Sequence, residues 1–404
     1  MRILFSAILL GVTVSFSFAA PLLDSFRIQF NWDLNSALED AIPVYSDNED
    51  IRENPDVFEF AYLFYSNPKI KLQVYTTCTN NFILLINARN TEGNGFDTCY
   101  YNYAYIPGTV IEIPIPITNY ISKYHFTWEW TITAIPICNT GAGFTANTLT
   151  RTTEQHLYVI LEDPQAPMNP PWAGVLEYAC EWAEEESYIE DAITKITEHL
   201  YSSGYNYSSD GGATYSHKNS VEKPFHFNVS QMVIDFLDPE GITVNCLDMA
   251  RAVTTLGNAI GANLQVIKFS RKINNDRLIP VNYIDPIGSY PPTNSPFFRY
   301  DSTDCRIGGF NFHAFAQMPI DTLVWDATLR YDIDEYPDNV VNSNPTCGGT
   351  NNYVNWQLPC NISISTYLNN LVDDWVKPNN YIGIDCSNPL DCGEISDSYF
   401  IIPY

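Results

Sequence analysis

The sequence predicts a two-domain protein, an N-terminal all-β sandwich followed by an α+β domain. Residues 57–163 carry runs of Val, Ile, Tyr, Phe and Thr separated by Asn, Gly and Pro, as strands and their turns do. Four prolines within residues 163–171 then interrupt every regular pattern. After them the hydrophobic period changes from two to about 3.6 residues, which is typical of helices.

The chain begins with the features of a secretory signal peptide. One arginine is followed by an apolar run from Ile3 to about Val14 and by small residues ending at Ala19. No later segment has the roughly 20 apolar residues of a membrane-spanning helix. We predict a secreted protein, or a periplasmic one in a Gram-negative host. The predicted divisions are a signal peptide at 1–19, a β-sandwich at 20–163, a Pro-rich linker at 164–171, an α+β domain at 172–335 and a disulfide-bearing extension packed on it at 336–404.

Composition and charge narrow the class of partner. The 404 residues are 45% hydrophobic and 17% charged, which favours a packed chain over a disordered one. The net charge of -27 repels nucleic-acid phosphates, so we predict no nucleic-acid partner. These properties leave the oligomeric state open.

Ten cysteines in an exported chain predict disulfides. Connectivity cannot be read from the sequence. Cys180 lies on an apolar helix face and is predicted to be a buried thiol. Plausible close pairs are Cys78 with Cys99, Cys347 with Cys360 and Cys386 with Cys392.

Helices are predicted at four places in the second half. The first has apolar residues from Val175 to Ala183 at helical spacing, and the second carries a capping box of Ser187 and Glu190. Another begins at Cys246 and stops at Gly261, and a short one spans Thr366–Val376.

Cys246 is the candidate nucleophile. Asn245 before it is a good N-cap, and Asp248 can reach back to that cap. Cys246 therefore lies in the first turn, where unpaired backbone N–H groups and the positive end of the helix dipole favour a thiolate. The same N–H groups could stabilise a developing oxyanion.

His313 and Asp326 are the candidate base and its orienting partner. Each lies in a predicted strand, and the residues between them predict a hairpin. With the hairpin tip at Pro319-Ile320, His313 stands directly opposite Asp326, on the same face of the sheet. The carboxylate would then fix the tautomer of the imidazole.

Taken in order, Val-Asn-Cys at a helix start, a histidine strand and Trp325-Asp326-Ala327-Thr328 resemble the transglutaminase-like domains of papain-type cysteine enzymes. The upstream run 172–183 is similar to the helix that precedes this core in exported members. The resemblance covers roughly residues 172–335. It implies Cys246 as catalytic nucleophile, His313 as general base and Asp326 as its orienter, with no cofactor and no metal.

The predicted chemistry is acyl transfer through a thioester on a protein or peptide substrate. Release by water would make the protein an amidase or peptidase, and release by lysine a cross-linking enzyme. The resemblance favours hydrolysis. The alternative is a non-catalytic binding or adhesion protein built on an inert scaffold, which a disulfide at Cys246 or a site too closed for an amide would favour. A redox switch at Cys246 is a further alternative. Cys, His and Asp are also metal ligands, but no Cys-x-x-Cys or His-x-x-x-His spacing is present.

Overall fold

A computed structural model gives the architecture. It describes residues 6–9, 12–15, 23–30, 45–46, 57–76, 82–91, 99–105, 110–115, 117–136, 147–208, 213–217, 226–269, 279–280, 284–288, 309–310, 313–332, 356–371, 392–394 and 398–400. The chain divides into two compact units, Met1–Val159 and Ile160–Tyr404. The finer division into a signal peptide, linker and extension stays a prediction.

The first unit consists of strands, and the pairs β1-β2, β3-β6, β6-β9, β4-β5, β7-β8, β7-β10 and β10-β11 are antiparallel. Its sheets have the orders β1-β2, β4-β5-β11-β10-β7-β8 and β3-β6-β9. The strands are β1 (Ser6–Leu9), β2 (Val12–Ser15), β3 (Leu23–Phe30), β4 (Tyr45–Ser46), β5 (Val57–Leu63), β6 (Lys69–Thr76), β7 (Phe82–Asn90), β8 (Cys99–Tyr105), β9 (Val110–Pro114), β10 (Ser122–Pro136) and β11 (Asn147–Ile160).

Alternation along β10 builds the core of this unit. Phe126, Trp128, Trp130 and Ile132 are buried together, as alternate residues of a strand with one face turned to the core are expected to be. Trp130 donates its indole N–H to the Thr153 hydroxyl of β11 at 2.8 Å, which satisfies a buried polar group. The packing of the six-stranded sheet on the three-stranded one lies outside the described side chains, so the sandwich stays a prediction.

The second unit mixes helices with several small sheets. Its helices are α1 (Ala173–Trp182), α2 (Ile189–Ser202), α3 (Val229–Asp235), α4 (Cys246–Ala259) and α5 (Ile364–Leu371). Its strands are β12 (Asn206–Tyr207), β13 (Ser216–His217), β14 (His226–Asn228), β15 (Thr243–Val244), β16 (Gln265–Phe269), β17 (Ile279–Pro280), β18 (Ile284–Pro286), β19 (Gly309–Phe310), β20 (His313–Met318), β21 (Leu323–Trp325), β22 (Leu329–Asp332), β23 (Trp356–Gln357), β24 (Ile362–Ser363), β25 (Cys392–Glu394) and β26 (Ser398–Phe400).

Helix α4 is the central element of this unit, and every one of its residues is buried. It contacts the five-stranded sheet β24-β21-β20-β16-β25 through its first turns, where Leu247 and Ala250 meet Val266 and Ala314. The helix ends as predicted before Gly261, whose φ of +103° favours glycine. A Cβ at Gly261 would lie 2.7 Å from the backbone carbonyl of Glu162, so only glycine fits this close approach.

Three expectations need correction. Helix α2 is capped at Tyr188, without a side-chain cap, so the predicted Ser187–Glu190 capping box is wrong. Helix α5 begins at Ile364 rather than Thr366, and the predicted residues 372–376 lie outside the described range. Cys360 carries a thiol that bonds Thr197, so the Cys347–Cys360 pair is also wrong.

Other expectations are confirmed or stay open. Cys180 is a buried thiol, as predicted. The remaining proposed pairs, Cys78 with Cys99 and Cys386 with Cys392, lie outside the described side chains. Strands β1 and β2 occupy part of the predicted signal peptide, which stays a prediction. Within the described part of the chain, each helix is too short or too polar to span a bilayer.

Candidate functional site

Cys246 is the first residue of α4, and its position follows from the cap before it. The Asn245 side chain accepts hydrogen bonds from the backbone N–H groups of Leu247 and Asp248, each at 3.0 Å. Asp248 in turn accepts from the backbone N–H of Asn245, so the predicted reciprocal cap is confirmed. Cys246 is a thiol and is only 2% exposed.

Asp248 also ties the start of α4 to a neighbouring segment. Its carboxylate accepts from the backbone N–H groups of Thr214 and Ser216, both at 2.8 Å. Burial raises the pKa of Asp248, and these hydrogen bonds oppose that rise. Asp248, which bonds back to the cap residue, therefore also holds the segment 214–216 at the start of α4.

Tyr207 reaches Cys246 from strand β12. This strand pairs in parallel with β15, with Tyr207 opposite Val244, two residues before the cysteine. The Tyr207 hydroxyl is hydrogen-bonded to the Cys246 side chain and to its backbone N–H. Burial and the adjacent Cys246 raise the pKa of Tyr207 well above its usual value, so the hydroxyl keeps its proton and can donate.

A glycine holds β12 in place. The Tyr207 backbone N–H donates to the carbonyl of Ile287 at 3.0 Å. The next residue, Gly288, has φ +69°, and a Cβ there would lie 2.1 Å from the Tyr205 carbonyl oxygen. Only glycine permits this approach, so Gly288 indirectly positions Tyr207.

His313 begins β20, opposite Phe269 at the end of β16. Its neighbour Ala314 packs against Cys246 at the start of α4. The imidazole is fully buried, and Cys246 is near enough to contribute to the raised pKa of the ring. The helix start and the strand start therefore bring thiol and imidazole together from positions 67 residues apart in the sequence.

Asp326 follows the end of β21 and bonds His313. The His313 Nε2–Asp326 Oδ2 distance is 2.8 Å, with both side chains buried. The Tyr367 hydroxyl of α5 donates to the same oxygen at 2.7 Å, and the Thr328 backbone N–H donates to Oδ1 at 2.8 Å. Because Asp326 holds Nε2, Nδ1 is the ring nitrogen that can exchange a proton with the thiol.

Electrostatics favour the charged imidazole. Burial by itself would lower the pKa of His313, but the charge and hydrogen bond of Asp326, together with Cys246, outweigh it and raise that pKa to about 10. The His313 ring is therefore an imidazolium at neutral pH. It can give a proton to a leaving amine and can stabilise negative charge on Sγ.

The strand register differs from the expectation by two residues. The pairs are Ala316 with Trp325 and Met318 with Leu323, so the ladder does not place His313 directly opposite Asp326. The turn is therefore centred at Ile320-Asp321, one residue later than the predicted tip at Pro319-Ile320, and each residue of β20 faces a partner two positions further along the chain. A shift by two residues keeps each side chain on its face of the sheet, which is why the His313–Asp326 contact still forms.

Two site residues were missed in the sequence. Tyr207 lies 39 positions before Cys246 and Tyr367 lies 41 after Asp326, and neither stands in a motif. Tyrosines are frequent in this chain, with 27 present, so composition offers no signal. Tyr207 reaches the site through the parallel pairing of β12 with β15. Tyr367 reaches it because α5 packs in the core with Phe315.

The expected oxyanion donors also need revision. Two first-turn N–H groups, those of Leu247 and Asp248, are taken by the Asn245 cap. The Cys246 N–H donates to the Tyr207 hydroxyl, which also interacts with the Cys246 side chain. A substrate carbonyl that displaces this hydroxyl would therefore meet the Cys246 N–H as a donor to a developing oxyanion.

Comparison with known proteins adds distant likenesses. No family model and no curated protein matches the sequence. Among solved structures, the chain is similar to a red sea bream transglutaminase at 11% identity and TM-score 0.32, over 66% of this chain and 48% of the transglutaminase. It is also similar to a family 123 glycoside hydrolase from Clostridium perfringens at 11% identity and TM-score 0.16, over 52% of this chain and 45% of the hydrolase. The chain thus spans less than half the length of either structure. At these scores neither likeness bears on the chemistry.

Proposed function

We propose that the protein is a transglutaminase-like cysteine enzyme that hydrolyses amide bonds through a thioester at Cys246. The supporting observation is the cluster Cys246–His313–Asp326, in which Asp326 Oδ2 holds His313 Nε2 at 2.8 Å and the imidazole interacts electrostatically with a cysteine at a helix start. An oriented base beside a cysteine is the arrangement that activates a nucleophile.

The reaction proceeds in two balanced steps. The Cys246 thiolate attacks the amide carbonyl carbon, a C–S bond forms and the C–N bond breaks, and the His313 imidazolium gives its proton to the departing amine. His313 then takes one proton from water while the hydroxide attacks the thioester carbonyl; the C–S bond breaks, the carboxylic acid leaves, and the Cys246 thiolate and the His313 imidazolium are restored. Once a substrate carbonyl separates the Cys246 N–H from the Tyr207 hydroxyl, both groups can donate to the carbonyl oxygen.

A second candidate is an inert scaffold within a binding or adhesion protein, and one observation favours it. Cys246, His313 and Asp326 are 2%, 0% and 1% exposed, and the Tyr207 hydroxyl bonds Sγ. A substrate amide therefore has to displace that hydroxyl from Sγ before it can react. Against this candidate, Cys246 is a thiol and not half of a disulfide.

Alkylation of the native protein tests the proposal. Iodoacetamide is added at neutral pH, and the modification of each cysteine is followed by peptide mass spectrometry in wild type and His313→Ala. Cys180, another buried thiol of the chain, is the internal reference. We expect Cys246 to react faster than Cys180 and to slow in the variant. Equal rates at the two thiols would favour the inert scaffold.

A second variant tests whether the Tyr207 hydroxyl blocks access to Cys246 or takes part in turnover. Tyr207→Phe removes the hydroxyl from Cys246 and keeps the ring. We expect faster alkylation, because Sγ loses a hydrogen bond, but slower turnover of a peptide amide, because the carbonyl oxygen loses a donor. Release of ammonia or amine without added lysine would support hydrolysis, whereas release only with a primary amine would indicate cross-linking.

A further inference from the structure

Two histidines and two carboxylates meet on the first unit, where the sequence predicted no metal site. His125 of β10 stands directly opposite His156 of β11, and Glu154 lies two residues from His156 on the same face of β11. Glu59 belongs to β5, which neighbours β11 on its other side. One sheet therefore brings nitrogen and oxygen donors from three neighbouring strands close together.

These donor atoms are close enough to share an ion. The Glu154 Oε1 atom is 2.7 Å from His125 Nε2 and 3.3 Å from His156 Nε2. One ligand atom from each residue lies within 4.8 Å of the others. Around a tetrahedral zinc ion, ligand atoms at about 2.0–2.2 Å from the metal are about 3.3 Å apart. Only small side-chain rotations separate the cluster from that geometry.

Glu59 gives His156 the environment of a metal ligand. Its Oε1 lies 3.4 Å from His156 Nδ1, while Nε2 of the same ring faces Glu154. Histidines that bind metals typically donate their other ring N–H to a carboxylate, which fixes the tautomer and raises ligand basicity. Without a bound ion, Nε2 donates its proton to Glu154, and with Nδ1 protonated toward Glu59, loss of the Nε2 proton gives the lone pair to a metal ion.

Solvent access and charge are also suitable. The His125 and Glu154 side chains are 45% and 39% exposed, so an ion can enter from water. A glutamate open to solvent is a carboxylate at neutral pH, which is the form that binds metal ions. The opposite face of these strands is the apolar core of Phe126, Leu157 and their neighbours.

We propose that His125, Glu154 and His156 bind one first-row divalent metal ion, with zinc as the preferred occupant and Glu59 as the outer carboxylate of His156. Two imidazole nitrogens and one carboxylate oxygen suit zinc, with water completing the coordination. The ion links β10 to β11. The site lies in the unit without Cys246 and is independent of the proposed thiol chemistry.

Metal binding is measured on the full-length protein by equilibrium dialysis against ZnCl₂, with elemental analysis of bound zinc. All proteins carry Cys246→Ser, so that the buried thiol does not bind the metal. We expect the double variant His125→Ala/His156→Ala to bind one equivalent less than its parent. His199→Ala, at an exposed histidine of α2 in the other unit, is the matched control and should bind as the parent does.

Milder variants guard against a folding defect in the double variant. Glu154→Gln keeps the shape of the side chain and removes a ligand charge, and Glu59→Gln removes the outer carboxylate. We expect Glu59→Gln to weaken zinc binding about 10- to 100-fold, the range for loss of such a partner. Glu154→Gln should weaken it at least as much.

Cobalt provides a geometric readout, because a four-coordinate Co²⁺ at this cluster gives visible absorption that the double variant loses. Equal zinc stoichiometry and affinity in the parent, the double variant and Glu154→Gln would overturn the proposal. So would a parent that binds no zinc.

Discussion

Asp326→Asn should change the protonation pattern of His313 without changing the shape of the site. In the wild type, Asp326 Oδ1 accepts from the Thr328 backbone N–H and Oδ2 accepts from His313 and Tyr367. Asparagine has one acceptor oxygen and one donor amide. The Thr328 N–H selects the oxygen for its side, so the amide faces His313. Nε2 must then accept, and the proton moves to Nδ1, on the side of Cys246.

The size of the effect follows from the lost charge-assisted bond. A hydrogen bond to a charged group contributes about 1.5–3 kcal/mol, and about 1.4 kcal/mol corresponds to a tenfold change. We therefore expect Asp326→Asn to slow iodoacetamide alkylation of Cys246 by about 10- to 150-fold. Without the Asp326 charge, burial lowers the pKa of His313, so the imidazolium is no longer present at neutral pH.

Tyr367→Phe is the matched control. It removes one buried donor to Oδ2 and leaves both the carboxylate and the ring volume intact. The free energy of unfolding should fall by about 1.5–3 kcal/mol, the contribution of a bond to a charged acceptor, while alkylation changes far less than in Asp326→Asn. Alkylation of Asp326→Asn within about threefold of the wild-type rate would refute the reasoning. So would an equal loss of rate in both variants.

Three further predictions concern stability, each measured by urea unfolding. The pKa of His313 is raised from 6.5 to about 10, so its charge contributes stability that is complete below about pH 6.5 and is lost as the pH rises through about 10. The difference in the free energy of unfolding between wild type and His313→Gln should therefore shrink between these pH values. A difference that grows with pH would contradict the assignment. Asn245→Ala, which removes the acceptor for two buried N–H groups, should cost about 1–2 kcal/mol, and more than Asn228→Ala, which removes the acceptor for one at the start of α3. Gly288→Ala should lower the free energy of unfolding far more than Gly204→Ala does. Both glycines have positive φ, but of the two only Gly288 has backbone atoms within 3 Å of the added Cβ. Similar losses of stability in the two variants would show that β12 can shift to make room.

Interactions close in sequence were predicted well. The reciprocal cap of Asn245 and Asp248 joins residues three apart, so the start of α4 at Cys246 could be inferred from residue types alone. The glycine that ends the same helix is equally local, since its positive φ depends on its own backbone. At Ser187 and Glu190 the same signature failed, because the chain is extended through Tyr188 and the helix begins one residue later than that box requires.

Pairing between distant segments was predicted in part. Alternation fixed which side chains share a face of β20, and this sufficed to bring His313 and Asp326 together although the register was off by two. Cys347 was named as a plausible disulfide partner of Cys360 from their spacing, but spacing carries no information about Cβ geometry, and the Cys360 thiol bonds Thr197 of α2 instead.

The sequence by itself determined the elements and the residue types that could carry chemistry: strands then helices, a capped cysteine at a helix start, and a histidine and an aspartate on successive strands. Only the tertiary structure decided the surroundings of that cysteine, with Tyr207 on Sγ and Tyr367 on Asp326, and it alone gathered His125, Glu154 and His156. The reason is physical. Helix caps and hydrophobic periodicity depend on neighbours within one or two turns. Strand pairing depends on which distant segments bury the most apolar surface together, and the residue types of one strand do not specify its partner strand.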